Sequence, residues 1–358
     1  MVKRIRSFQR VLVILGIASM MLSACGGSTT STGTSEAGNQ QKPKEKIKLI
    51  FAAHFSQSIP LGKIVSQAKG LLEQESGGRI TLEEYYNESL VKQIDTFHAV
   101  CQGVADIAYI PSQNLAEVPM AGIFKLLYPK GSPDIVKMTN VYRQALEATD
   151  LQKNLAKYGS MILAVRAYGG KQLHTNKRVV KTPGDLKGLN IGANGNDAYF
   201  FSAMGAGAVT LSNADYYSAL STGLVDGLTN HWVSVTAYKL NEVAKSHTEF
   251  GGGIETSAES YVINLNTWNK LSAEDQKVVK DVFTKICDMA AEYDQSQLAQ
   301  SRQQCLNDGH TIYTLNDNEL AAFAPYAEKV NKDWIDSASK EGWDAQGAYN
   351  LIMSLSRK

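Results

Sequence analysis

The chain has 358 residues, 44% of them hydrophobic and 20% charged, which is enough to bury one or two ordinary α/β cores and too apolar for a disordered chain. Lysine and arginine number 36 against 35 acidic residues, but Lys3, Arg4, Arg6 and Arg10 lie in a leader without acidic residues, so from Cys25 on the balance is 32 to 35, or −3. No basic face for nucleic acid follows from such a balance, and nucleic acid is not an expected partner.

A basic segment, Met1 to Arg10, precedes an apolar run, Val11 to Met21, that is shorter than the roughly 20 apolar residues of a membrane span. Leu22-Ser23-Ala24-Cys25 then has the form of a bacterial lipobox, predicting a lipoprotein signal peptide over 1–24 and lipidation of Cys25. Residues 25–46 are rich in Gly, Ser and Thr and nearly free of apolar side chains, so they cannot offset the entropy of ordering and predict a flexible tether. The expected location is the extracytoplasmic side of a bacterial membrane, with the membrane itself a partner through that lipid. Besides Cys25, the chain holds Cys101, Cys287 and Cys305. Cys287 and Cys305 fall in one helical pattern, about 27 Å apart along it, so they cannot pair, and all three are expected as buried thiols.

Ile47 to Ala53 alternates as a strand, and His54 to Pro60 is the loop after it. Leu61 to Gln74 has helical spacing, Arg79 to Tyr86 reads as a strand, Asp95 to Cys101 as a helix and Val104 to Ile110 as a strand ending at Pro111-Ser112. Pro133 to Lys157 is helical and Met161 to Ala167 is a strand, with Arg166 expected to snorkel from its edge. Strands alternating with helices predict an α/β fold. His54, Phe55, Tyr109 and Ser112 lie at strand ends of this first half, where α/β proteins place ligand loops.

The next stretch, Lys181 to Trp232, is the expected floor of a ligand cleft. Thr182-Pro183 opens a helical turn, Leu189 to Ile191 is strand-like, and a loop of small and polar residues, including Asn194 and Asn196, leads into the helix Ala198 to Met204. A strand follows at Ala208 to Leu211, then a helix from Ala214 to Ser221 with Ser212 as its cap. Asn230, His231 and Trp232 form a polar loop in which an aromatic face could cover a ligand. His98 to Asp106 matches Ser218 to Asp226 position for position, each reading helix end, glycine, two apolar residues, aspartate. That echo predicts two similar α/β lobes presenting the junction toward a shared cleft. Beyond it, Leu271 to Leu306 is one long helical pattern without proline or glycine, His310 to Leu315 a strand, and Asn318 to Ser339 and Ala345 to Ser356 helices.

Pro183-Gly184-Asp185-Leu186-Lys187-Gly188-Leu189, Tyr217-Ser218-Ala219-Leu220 and Thr222-Gly223-Leu224-Val225-Asp226-Gly227 resemble the solute-binding proteins of tripartite ATP-independent periplasmic (TRAP) transporters, and Gly77 to Ile80 and Leu271 to Gln276 fit the same pattern. The resemblance covers nearly all of the mature chain. It implies a two-lobe periplasmic-binding-protein-like α/β fold with a long helix bracing both lobes and C-terminal helices. The implied division is 47–168 plus about 256–275 for lobe I, 169–255 for lobe II, and 276–358 for helices across both. It also implies one small organic acid bound between the lobes, TRAP permease subunits as partners, and no cofactor.

The departures from the family pattern matter as much. Gly192 stands where the family usually has an arginine that grips the ligand carboxylate, Lys171, beside Gln172, stands on a second family arginine, and Asp215 stands on a glutamate before the Tyr217 motif. Asn230 falls at or near the family's usual asparagine. The resemblance then implies a carboxylate met by Lys171 and neutral groups, with room at Gly192 for a ligand bulkier than succinate lying against Trp232. Enzyme readings find little support. Ser66-Gln67-Ala68-Lys69 lacks the partner motifs of penicillin-recognising enzymes, Gly205-Ala206-Gly207 lacks the third glycine of a dinucleotide loop, and the six histidines show no paired metal spacing. A lipid-anchored sensor and the receptor of an ATP-driven importer are the alternatives.

Overall fold

The computed structural model describes residues 45–127, 131–176, 178–211 and 215–357. The predicted Cys25 anchor, most of the tether and the Ser212 cap lie outside them. The first lobe opens with β1 (Ile47–Ala52), α1 (Pro60–Val65), α2 (Gln67–Glu75), β2 (Ile80–Tyr85), α3 (Thr96–Cys101) and β3 (Ile107–Pro111). One helix was expected over Leu61 to Gln74. It divides at Ser66, whose hydroxyl donates back to the Lys63 carbonyl and competes with the helical ladder. Next come α4 (Ile135–Ala148) and α5 (Leu151–Ala156), separated where Thr149 is extended and its hydroxyl bonds the Ala145 carbonyl.

β4 (Ser160–Thr175) is the spine of the molecule. The sequence suggested that it ends at Ala167, before Tyr168-Gly169-Gly170. Instead the strand continues through a bulge between Ala167 and Gly170. The second lobe holds β5 (Asn190–Gly192), α6 (Asn196–Ala203), β6 (Gly207–Val209), α7 (Tyr216–Thr222), β7 (Gly227–His231), α8 (Trp232–Ala237) and β8 (Ser246–Glu249). The chain then returns through β9 (Thr256–Asn264) and α9 (Leu265–Lys270) to α10 (Ala273–Asn307), β10 (Thr311–Thr314), α11 (Asp317–Lys340) and α12 (Ala345–Arg357).

The strands run β2-β1-β3-β9-β4-β7-β5-β6, with β8 joining β4 and β10. From Ser160 to Gly170, β4 pairs antiparallel with β9; from Lys171 to Thr175 it pairs with β7, and through Leu173 to Thr175 also with β8. One strand therefore belongs to both lobes. Where it crosses, its backbone meets the 250–255 connection without intervening side chains: a Cβ on Gly170 would lie 1.8 Å from the Gly252 carbonyl oxygen.

α10 has 35 residues, about 52 Å at helical rise. Ser272 caps it by accepting from the Asp275 amide, and Arg79 clamps Asp275 at 2.6 Å. Val279, Val282, Phe283 and Ile286 enter the core formed by Phe51, Tyr109 and Tyr261 in the first lobe, while Cys305 enters the core around Trp232 and Leu240 in the second. Each fully buried large apolar side chain contributes about 1.5–3 kcal/mol, so the helix is held firmly at both ends. Cys287 and Cys305 are buried and unpaired as expected, whereas Cys101 is only half-buried.

The internal echo is structural. Gly103 and Gly223 both take positive φ, of 74° and 75°. The Asp106 amide donates to the Ile50 carbonyl while its carboxylate accepts from the Ile50 amide; Asp226 does both to Asn190. Each aspartate locks the start of a parallel strand to its neighbour, β3 to β1 and β7 to β5. The junctions do not face the cleft as expected. They sit at the N-terminal ends of β3 and β7, and the opposite ends carry Ser112, Asn230 and His231.

Candidate ligand cavity

A cavity of about 540 Å³, within the range of small-molecule sites, opens where the C-terminal ends of β3, β5 and β7 meet β4 and the start of β9. The first lobe supplies Ser112, Gln113 and Lys125. The crossing strands supply Tyr168, Lys171, Glu255, Ser257 and Glu259. The second lobe supplies Asn194 to Asp197, Leu211, Tyr216, Thr229 to His231, Ser234 and Tyr238.

Lys171 is the centre of the floor but is not available to a ligand charge. Its ammonium donates to Asp197 Oδ2 at 2.9 Å and Glu255 Oε1 at 2.8 Å. Burial would pull its pKa down, but the two carboxylates outweigh burial and raise it. Asp197, fully buried in the first turn of α6, also accepts from the Thr229 hydroxyl at 2.9 Å. Burial pushes Glu255 up to about 7 against the opposing pull of Lys171. Glu259 is likewise pushed up to about 7 by burial, opposed by Arg166.

Arg166 lies behind this wall, wholly buried rather than snorkelling. It pairs with Asp294 of α10 and donates to the Tyr109 hydroxyl at 3.2 Å. The lining cation without an ion-pair partner among the described residues is Lys125. It is half-buried, and burial lowers its pKa. Asn196 of the second lobe donates to the Lys125 carbonyl oxygen at 2.8 Å, so the two lobes touch at the cavity rim.

Of the residues expected from sequence, Lys171, Asn194, Asn196, Asn230, His231 and Ser112 line the cavity. The amide of Asn194 is occupied by the Leu211 backbone. Gln172 does not line it, because successive strand residues face opposite sides; its side-chain Oε1 accepts from the Phe250 amide on the far face of β4. Trp232 lies on that face too, 1% exposed, donating to Glu249 at 3.1 Å and packed on His174 and His247. Gly192 opens no space: a Cβ there would meet Leu211 and Leu228 side chains at 3.2 Å, and it is Leu211 that reaches the cavity. Asp215 is exposed at the start of α7, and Tyr217 turns outward to Glu242 while its neighbour Tyr216 faces the cavity. His54, Phe55 and Tyr109 form an aromatic group outside the lining, with the Phe55 and Tyr109 rings 4.8 Å apart.

Lys125, Asp197, Tyr216, Glu255 and Glu259 were missed. A signal existed for some. Glu255, Ser257 and Glu259 alternate at the start of an otherwise apolar strand, and Lys125 interrupts the apolar run from Met120 to Leu127.

Tertiary packing also gathers three histidines that show no local spacing. His174 Nε2 bonds the Asn230 carbonyl oxygen at 3.1 Å, His174 Nδ1 meets His247 Nδ1 at 2.8 Å, and His247 Nε2 meets His310 Nδ1 at 3.1 Å. Lys245 closes the row on His310 Nε2 at 3.2 Å. His247, Cys305 and His310 bring possible metal-ligand atoms within 4.8 Å of one another. The imidazole nitrogens there are already engaged with each other.

The sequence model described as "Bacterial extracellular solute-binding protein, family 7" matches residues 51–338. The C4-dicarboxylate-binding protein of Bacillus subtilis is 25% identical over 90% of this chain and 92% of its own length. The ectoine-binding periplasmic protein of Halomonas elongata is 24% identical over 81% and 85%. A TRAP periplasmic solute-binding protein of Ochrobactrum anthropi superposes with a TM-score of 0.77 at 21% identity, over 87% of this chain and 96% of that one.

Proposed function

The chain belongs to the bacterial extracellular solute-binding proteins, family 7, and on that premise we propose that it is a receptor, not an enzyme, that binds a small organic acid in the cavity and hands it to a TRAP-type permease. The observation that carries the reading is the cavity itself, with Lys125 on its wall as a cation in no ion pair among the described residues, Glu255 acting on it only through its field. A ligand carboxylate supplies the missing partner. The relatives support the class: one is a C4-dicarboxylate-binding protein, and similar structures hold benzoate, mandelate and D-glucuronate.

In this reading 47–168 with 256–275 form lobe I, 169–255 form lobe II, and the helices from 276 on brace both. The lipid on Cys25 holds the receptor at the membrane and takes no part in binding. Among the described residues no helix is long and apolar enough to cross a membrane. Calorimetric titration of the purified chain with small carboxylates tests the proposal. Lys125→Gln should weaken binding about 10- to 100-fold, the worth of one charge-assisted hydrogen bond, without shifting the melting temperature. Unchanged affinity would place the carboxylate elsewhere.

A further inference from the structure

The cavity is rich in charge, and its charges are sorted. With every carboxylate ionised, Lys125 and Lys171 face Asp197, Glu255 and Glu259, a formal excess of one negative charge before any ligand enters. A plain monocarboxylate would raise that excess to two inside a poorly solvated site, where like charges repel strongly.

Buried polar atoms without partners point the same way. Among the described residues, Asp197 Oδ1 and Glu259 Oε2 are buried carboxylate oxygens with no hydrogen-bond partner, and Asn230 Nδ2 is a buried amide donor with none. All three residues are at least nine-tenths buried, at 0%, 8% and 5% exposure, and all three line the cavity. A buried unsatisfied polar atom is costly, so a native site that keeps several is shaped for groups the ligand brings. An ionised carboxylate only accepts. Two of the vacant positions therefore call for donors, which a ligand carboxylate cannot provide.

We propose that the ligand is a zwitterion, an organic acid that also carries an ammonium or equivalent cationic N–H group, with its carboxylate toward Lys125 and Asn230 and its cationic group toward Glu259 and Asp197. The inference rests on the receptor reading above and specifies its ligand class. A zwitterion leaves the formal charge of the cavity unchanged and supplies donors and acceptors at once. In this arrangement Lys171 is a positioning residue that holds the Asp197 and Glu255 side chains.

The test uses matched pairs that differ only in the amine, titrated into the purified chain: succinate against aspartate, glutarate against glutamate, and phenylacetate against phenylglycine. Malate and mandelate serve as hydroxyl controls. The amino member of at least one pair should bind 10-fold tighter or more. Glu259→Gln should bring that ratio toward one by weakening the amino member about 10-fold or more, and Asp197→Asn provides the same readout should the first variant fail to fold. Plain or hydroxy acids binding as tightly as their amino partners overturn the zwitterion and leave the receptor intact. Failure of every acid in both series at millimolar concentration overturns the organic-acid receptor as well.

Discussion

Arg166 and Lys171 stand five residues apart on one strand, the first buried and the second half-buried, and both are cations flanked by carboxylates. Their surroundings differ in kind. Arg166 is sealed, with no exposed side-chain surface; its partner Asp294 belongs to α10, and its further contacts are Tyr109 of β3 and its own strand's Ala167 carbonyl oxygen. It pins the long helix to the first lobe. Lys171 keeps 21% of its side chain exposed at the cavity, and its partners come from α6 and from the connection into β9. It pins the second lobe to the crossing strands. A buried cation therefore does not by itself mark a ligand site. The question is whether its charge has already been met, and at both positions it has.

The sharpest way to break this comparison is to remove the sealed charge. Arg166→Met should lower stability by about 3–5 kcal/mol, because Asp294 is left buried and unpaired. Adding Asp294→Leu should recover most of that loss, and urea midpoints of the single and double variants measure both effects. Lys171→Met should destabilise by less, roughly 2–4 kcal/mol, since its side chain still touches water and Glu255, already pushed up to about 7, readily takes a proton. Its cost should therefore shrink on going from pH 8 to pH 6, whereas the Arg166 cost should not.

Acid sharpens the contrast. Glu255 and Glu259 have folded-state values raised to about 7, so the folded chain gains protons and stability as pH falls from 7 toward the ordinary glutamate range. His174, His231 and His247 are lowered by burial to about 4, 3 and 2, so stability is lost as pH falls below the ordinary histidine value near 6.5. Between pH 7 and 4.5 the two trends nearly cancel. Below about 4.5 the glutamate gain ends while the histidine loss continues, worth roughly 1.4 kcal/mol per group per pH unit. Carboxylates held low, such as Glu249, whose burial is outweighed by its hydrogen bonds to Arg302 and Thr314, add to the loss. Denaturant midpoints should be nearly level down to that pH and then drop steeply. A steady decline starting at 6.5 would show that the two glutamates titrate in their ordinary range. The smallest effect should come from Trp232→Phe, which loses one buried hydrogen bond to Glu249, about 1 kcal/mol, and leaves ligand affinity unchanged.

Most of the architecture was legible because it rests on local patterns. The long helix from 273 to 307, the capped turn at Pro183 and the matched junctions at Asp106 and Asp226 all follow from spacing and punctuation. The α/β fold and the resemblance carried by Pro183 to Leu189 agree with the family match over 51–338. The cavity was half legible. Strand ends gave Ser112, Asn230 and His231. Which neighbour faces inward depended on registers that no local pattern fixes, so Tyr217 was chosen over Tyr216 and Gln172 was set beside Lys171. The vacancy expected at Gly192 failed for a tertiary reason, because Leu211 from the next strand's end occupies it. Ion pairing was illegible altogether: Lys171 and Asp197 are 26 residues apart, and Arg166 and Asp294 are 128 apart.

The histidine row in the second lobe has a direction. The Asn230 carbonyl oxygen can only accept, so His174 must carry its proton on Nε2 and offer a lone pair at Nδ1. His247 must then donate from Nδ1, and His310 must donate to His247 from Nδ1, leaving His310 Nε2 to receive Lys245. One arrangement of protons satisfies every nitrogen, and it reads the same way from exposed Lys245 to Asn230 at the cavity. An added proton on any ring would set two N–H groups head to head. Passing one along the row would require every ring to exchange its tautomer in turn, ending on an oxygen that cannot keep it. The row therefore fixes the Asn230 wall through a chain of directed hydrogen bonds that reaches back to Lys245.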